Sequence, residues 1–244
     1  MFQTSILRTC LPNIKPLIEN DLTKLYNDFI KSNVYALALN LHKPISIQYM
    51  SNINAHQYEK FPEFPVEGEY LALLGNLGDP TKKQTHDLLA YSSLNFEKVY
   101  IVPSEKEQSI VNLPFIANDY PNIKYLFNGQ QDDMNENIRV FGITLNKTEQ
   151  NNLDLNFQLK LFKRFYPEKK ALILSYNPPC NLPIINSSEN NQILAWLYGK
   201  QTNNILDYNE TINNLLLKGI YVGTNSINNK NIFKTQKVEI FYIS

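Results

Sequence analysis

The feature that most limits the fold of this chain is a series of short apolar runs that each end in turn residues. From about residue 47 the runs read ISIQYMS, EYLALLGN and KVYIVP, and the segments between them can hold helices. This order predicts βαβ units with a partly parallel sheet. Between the second and third runs, THDLLAYSSLNF predicts a helix that carries Leu88, Leu89 and Leu94. We therefore expect an α/β fold.

The second half of the chain continues this pattern. IKYLF and IRVFGITL predict strands, and Leu155, Leu159 and Phe162 predict a helix over residues 153–166 that Pro167 ends. ALILSYN and LAWLYG predict two more buried strands, and LLLKGIYVGTN and VEIFYIS are expected to close the fold as an antiparallel pair. Since no linker rich in Pro, Gly or Ser divides the chain, residues 47–244 are expected to form one domain.

Residues 1–46 are expected to be an N-terminal extension. The stretch 19–40 carries apolar residues at helical spacing, which predicts an amphipathic helix: Leu22, Leu25, Tyr26, Phe29 and Ile30. The apolar face of this helix needs a partner surface. Packing on its own domain and docking to another protein both satisfy that need.

The charge of the chain argues against a nucleic-acid partner. The sequence has 23 basic and 23 acidic residues, so its formal net charge is zero. Only Arg8, Arg139 and Arg164 are arginines, the side chain that makes bidentate contacts to phosphate and guanine. The sequence predicts no contact with nucleic acid.

The compartment is expected to be intracellular, either mitochondrial or cytoplasmic. Cys10 and Cys180 lie far apart, which favours a reducing environment over a disulfide framework. No apolar run approaches the roughly 20 residues that span a bilayer, so no transmembrane segment is predicted. The opening stretch has Arg8 and Lys15 and no acid before Glu19, which fits a mitochondrial presequence or an ordinary tail.

Turn residues follow the predicted strands at five places, in segments 51–54, 75–78, 102–107, 175–177 and 199–202. Their order and spacing resemble those of the calcineurin-like metallophosphoesterases, over about four fifths of the chain. That family carries D-x-H, G-D, G-N-H-[ED], a histidine after a strand, and G-H-x-H. The resemblance implies a two-sheet αββα sandwich of the metallophosphoesterase type with an N-terminal helical extension.

The family's metal ligands are replaced throughout. S-N-I-N stands for the first motif, Gly75-Asn76 for G-D, P-S-E-K-E for the third, and G-K-Q-T for the last, while only Glu107 keeps an acidic position. The resemblance implies these vestigial active-site positions: Asn52, Asn54, Asn76, Glu105, Lys106, Tyr176, Lys200 and Thr202. Catalysis in the family requires two cations about 3.5–4 Å apart. Amides and ammonium groups hold such cations poorly, so we expect no catalytic residue, no metal and no cofactor.

Three functions remain open on these residues. The first is a catalytically inactive protein that serves as a structural or protein-interaction subunit of a larger complex. The second is a pseudoenzyme that binds a phosphorylated ligand in the vestigial pocket, with Lys106 and Lys200 as the anion-binding residues. The third is a weak phosphodiesterase that binds Mg²⁺ or Mn²⁺ through Glu105, Glu107, Asp79 and asparagine carbonyls.

Overall fold

The computed structural model describes the chain from Pro44 to Ile240, with gaps. The described residues are 44–61, 63–107, 119–127, 129–144, 149–179, 192–199, 212, 215, 221–224 and 236–240. The predicted N-terminal helix over 19–40 lies outside them. The predicted boundary at residue 46 stays a prediction, and the first described strand begins at Ile45.

The described residues form ten strands and two α-helices. The strands are β1 Ile45–Met50, β2 Tyr70–Leu74, β3 Lys98–Val102, β4 Ile123–Tyr125, β5 Gln131–Asp133, β6 Ile138–Ile143, β7 Lys170–Ser175, β8 Ile193–Tyr198, β9 Tyr221–Thr224 and β10 Gln236–Ile240. The helices are α1 Lys83–Asn95 and α2 Glu149–Phe165, and a 3₁₀ turn covers Ala55–Gln57.

The strands form two five-stranded mixed sheets. The first sheet has the order β10-β1-β2-β3-β4 and the second has the order β5-β6-β7-β8-β9. In the first sheet β10 is antiparallel to β1 and the other pairs are parallel. In the second sheet β5 is antiparallel to β6 and the rest are parallel. The α/β prediction is confirmed.

The predicted antiparallel closing pair is wrong. Strand β9 pairs in parallel with β8, whereas β10 pairs antiparallel with β1 in the other sheet. Both segments are apolar runs, so a local pattern identifies them as strands. It carries no information about which distant strand each one meets.

Three apolar clusters arrange the described elements in layers. The largest lies between the sheets and joins residues of β1, β2, β3 and β10 to residues of β6, β7 and β8. A second packs α1 on the outer face of the first sheet through Leu88 and Leu89. A third packs α2 on the outer face of the second sheet. The layers therefore run helix, sheet, sheet, helix, while their relation to the metallophosphoesterase sandwich stays a prediction.

The two helices follow their sequence patterns to different degrees. In α2 the predicted stripe Leu155, Leu159 and Phe162 is buried, and the helix ends at Phe165, before Pro167. In α1, however, Leu94 is 86% exposed and is not part of the core. None of the helices in the described part of the chain is long and apolar enough to cross a membrane.

Candidate functional site

The site is built where parallel strands of the two sheets end. The segment after β1 runs beside the segment after β2, because the Asn52 N–H donates to Gly75 O at 3.0 Å and the Asn54 N–H donates to Asn76 O at 2.8 Å. The second sheet joins them through Ser51 Oγ, which donates to the carbonyl of Gly199 at 2.8 Å. Such carboxyl ends are where α/β sheets place their binding sites.

The asparagines at this edge adopt an uncommon backbone conformation. Asn52, Asn54 and Asn76 have φ values of 55°, 49° and 54°, and they are the non-glycine residues with positive φ in the described ranges. Asparagine tolerates this left-handed conformation better than most residues. The sequence motifs indicated these three positions as replaced metal ligands and did not predict their left-handed backbone conformation.

A chain of amide hydrogen bonds fixes the direction of the asparagine side chains. The Gly199 carbonyl can only accept, and Asn52 Nδ2 donates to it and to Ser51 Oγ, each at 3.4 Å. The oxygen Asn52 Oδ1 therefore faces Asn76, whose Nδ2 donates to it at 2.6 Å. Asn76 Nδ2 also donates to the Tyr176 hydroxyl at 3.1 Å. The centre of the site thus presents N–H groups that are already bonded.

Tyr176 covers this amide network. Its side chain is 8% exposed, and burial raises the pKa of its hydroxyl, against the lowering effect of the Asn76 hydrogen bond. Its ring lies against Gly75, where a Cβ would come 2.3 Å from Tyr176 Cδ2. Gly75 also has φ +79°, so this position needs glycine for both conformation and space.

Glu107 binds the loops of the site together. Its buried carboxylate accepts the N–H groups of Asn76 at 2.7 Å and Leu77 at 2.5 Å, and both the N–H and Oγ of Ser104 at 2.9 and 2.8 Å. Two consecutive N–H groups that converge on one anion form a backbone nest. The sequence indicated Glu107 as a retained acidic position and a candidate ligand of Mg²⁺ or Mn²⁺, although the spacing S-x-x-E from Ser104 is typical of a reciprocal cap.

The remaining predicted positions differ in what they do. Glu105 is exposed and accepts a hydrogen bond from Asn177 Nδ2 at 2.9 Å. Lys106 is exposed and takes part in at least one polar or electrostatic interaction. Lys200 and Thr202 lie outside the described residues. The structure therefore brings Asn52, Asn76 and Tyr176 into one network, with Asn54 donating to the Asn52 carbonyl at 3.2 Å.

A groove of about 460 Å³ opens beside the network. Its described lining includes Glu107, Asp79 and His56, and it includes no lysine. His56 Nδ1 accepts the Asp79 N–H at 3.1 Å. A hydrogen bond from the Thr81 hydroxyl lowers the pKa of Asp79. Lys106 is not among the described lining residues, and the predicted anion site at Lys106 and Lys200 stays a prediction because Lys200 lies outside the described residues.

The described side chains do not fit the two cations that catalysis in the metallophosphoesterases requires. Asn76 Nδ2 points two N–H bonds at its neighbours, where a bridging ligand would have to offer lone pairs. The lone pairs of Glu107 already accept four hydrogen bonds. In the part of the chain that the structure describes, no group of three or more His, Cys, Asp and Glu side chains is placed to hold a metal ion.

Comparison with known proteins gives no assignment. No protein-family model matches the chain. A search of curated proteins also finds no match. The resemblance to the calcineurin-like metallophosphoesterases therefore stays a prediction that rests on the strand-end residues.

Proposed function

We propose that this chain is a catalytically inactive metallophosphoesterase-like protein that serves as a structural or protein-interaction subunit of a larger assembly. One observation carries the proposal, namely that the amide N–H groups at the strand ends donate to other protein groups. Asn76 Nδ2 holds Asn52 and Tyr176 together, at 2.6 and 3.1 Å. A phosphoesterase site must instead offer lone pairs to cations at these positions.

The hydrogen bonds at the strand ends also have a structural role. Glu107 ties the loops after β2 and β3 together, and Ser51 and Asn52 tie the loop after β1 to Gly199 in the other sheet. These bonds join the ends of the two sheets. A rigid body of this kind suits a subunit whose outer surfaces contact other proteins, since a fixed surface loses little entropy on binding.

The test is the size and composition of the native particle. The chain is purified gently from its source, sized, and the co-eluting chains are identified by mass spectrometry. The proposal expects a particle well above 28.3 kDa in which this chain has a fixed stoichiometry. A free chain of 28.3 kDa at native concentration would overturn the subunit assignment.

A further inference from the structure

Helix α2 exposes an apolar stripe on the side that faces away from the core. Phe157, Leu161 and Phe165 are 63%, 36% and 64% exposed. They are spaced four residues apart, so they lie along one face of the helix over about 12 Å, from the rise of 1.5 Å per residue. We call these three residues the exposed stripe. The opposite face of α2 is the one buried against the second sheet.

Exposed apolar side chains are concentrated at this place. Six large apolar side chains are exposed in the described ranges, and three of them form the exposed stripe. Of the other three, Tyr166 follows the helix and packs with Phe162 and Arg139, Leu94 is in α1, and Val66 is in the loop before β2. Single exposed apolar residues are ordinary, whereas a clustered set bordered by polar residues marks an interaction surface.

One edge of the exposed stripe is basic. The second half of the helix carries Lys160, Lys163 and Arg164, while the acidic Asp154 precedes Phe157 by three residues. Lys160 and Arg164 are exposed, and they follow Phe157 by three and seven residues, which places them along one edge of the stripe. The Arg164 guanidinium lies 5.9 Å from the centre of the Phe165 ring. A partner that covers this surface therefore meets positive charge at its edge.

The charge selects among possible partners. Two copies of the chain that met through the stripe would bring their basic residues together, and like charges across an interface oppose association. An anionic membrane would match the charge, but a membrane-bound amphipathic helix has a charged face opposite its apolar face, whereas the face of α2 opposite the stripe is buried against the second sheet. An amphipathic helix with acidic residues beside its apolar face matches both the stripe and its border.

We propose that the exposed stripe of α2 is a docking site for an acidic amphipathic helix of a partner protein. The helix would lay apolar residues at spacings of three and four on Phe157, Leu161 and Phe165, with Glu or Asp beside Lys160 and Arg164. This inference rests on the proposed function and adds to it the place where a partner binds and the chemistry of that partner.

The experiment is a selection of displayed helical peptides on the full-length chain. The peptides keep a constant apolar face and vary between Glu and Lys at the flanking positions. Peptides with Glu at those positions should be enriched. For an enriched peptide, fluorescence anisotropy should show at least about tenfold weaker binding to the Phe157→Ser/Phe165→Ser variant, which is about 1.4 kcal/mol. Binding should also weaken as salt rises.

Two variants complete the experiment. In Lys160→Glu/Arg164→Glu the preference should reverse from Glu to Lys peptides, which a merely sticky surface would not do. Leu94→Ser, which removes a leucine of α1 that is more exposed than any residue of the stripe, should leave the affinity unchanged. All substituted side chains are exposed, so circular dichroism should show a folded chain.

Three results would overturn the proposal. The first is no enrichment of Glu peptides, or enrichment that does not depend on the stripe. The second is stripe-dependent binding to phosphatidylcholine vesicles containing phosphatidylserine, which would identify a membrane surface. The third is a stripe-dependent dimer in sedimentation. Each would leave the native-particle test of the subunit assignment standing, because a partner can bind elsewhere on the chain.

Discussion

Replacing Glu107 with glutamine should destabilise the domain far more than a single surface change. The glutamine keeps the shape of the side chain, removes its charge and turns one oxygen into an amino group. That amino group would face a backbone N–H of Asn76, Leu77 or Ser104, all of which donate to the carboxylate. At least one buried N–H then loses its acceptor.

The size of the effect follows from these bonds. Hydrogen bonds to a charged group contribute about 1.5–3 kcal/mol each, against about 0.5–1.5 kcal/mol for neutral ones. If one of the four hydrogen bonds of Glu107 is lost, removing the charge from the other three lowers the free energy of unfolding by about 3 kcal/mol. The N–H left without an acceptor adds to this, although water from the adjoining groove offsets part of it. We expect a loss of about 3 kcal/mol, or about 6–12 °C in Tm for a chain of this length.

Urea unfolding of the full-length chain measures this loss. The matched control is Glu105→Gln, two residues away, whose exposed carboxylate has one described hydrogen bond, to Asn177. The control should change the free energy of unfolding by less than about 0.5 kcal/mol. If Glu107→Gln lost less than about 1 kcal/mol, the idea that this carboxylate holds the strand-end loops together would be refuted.

Three further substitutions test other contacts. Asn76→Asp places an oxygen against Asn52 Oδ1, where an N–H now donates at 2.6 Å. The free energy of unfolding should therefore fall by about 1–3 kcal/mol at pH 7. This loss should shrink near pH 4, and an equal loss at both pH values would contradict the amide orientation. Gly75→Ala meets Tyr176 Cδ2 at 2.3 Å with φ +79° and should lower Tm, with partial recovery in Gly75→Ala/Tyr176→Ser; no change in Tm would count against the close approach. The hydrogen bond from Arg139, followed by that from Lys169, lowers the pKa of Asp133 from 3.8 to about 2. This stabilisation is present above pH 3.8 and is lost as pH falls to 2, so acid titration of Asp133→Asn should show a shallower loss of stability there, and an unchanged slope would exclude the ion pair as its source.

Local patterns predicted the elements well. The runs that became β1, β2, β3, β7 and β8 are apolar enough to be buried on both faces, and the stripe of α2 together with Pro167 fixed that helix to within a few residues. The predicted helix that carries Leu88, Leu89 and Leu94 is α1, and Leu94 is exposed in its last turn.

Long-range pairing was beyond the sequence. Strand β10 lies beside β1, although some 190 residues separate the partners in the chain, and β9 belongs to the other sheet. The two strands follow one another in sequence, and consecutive strands usually pair as neighbours. That general preference produced the wrong antiparallel pair.

The candidate site was predicted by position and not by interaction. Asn52, Asn76 and Tyr176 meet as their places at the strand ends required. The positive φ of the asparagines and the four hydrogen bonds of Glu107 depend on backbone geometry that single residues do not reveal. The groove beside His56 was missed because its lining comes from the loops after three different strands, β1, β2 and β3.

Hydrolysis of bis(p-nitrophenyl) phosphate by the full-length chain in millimolar Mn²⁺ tests the claim that the strand-end site is inactive. Because the amide N–H groups of that site donate to other protein groups and offer no lone pairs to a cation, we expect no turnover above a protein-free control, and the same result in Glu105→Ala. Mn²⁺-dependent turnover that disappears in Glu105→Ala would contradict the claim and would establish a surviving phosphodiesterase.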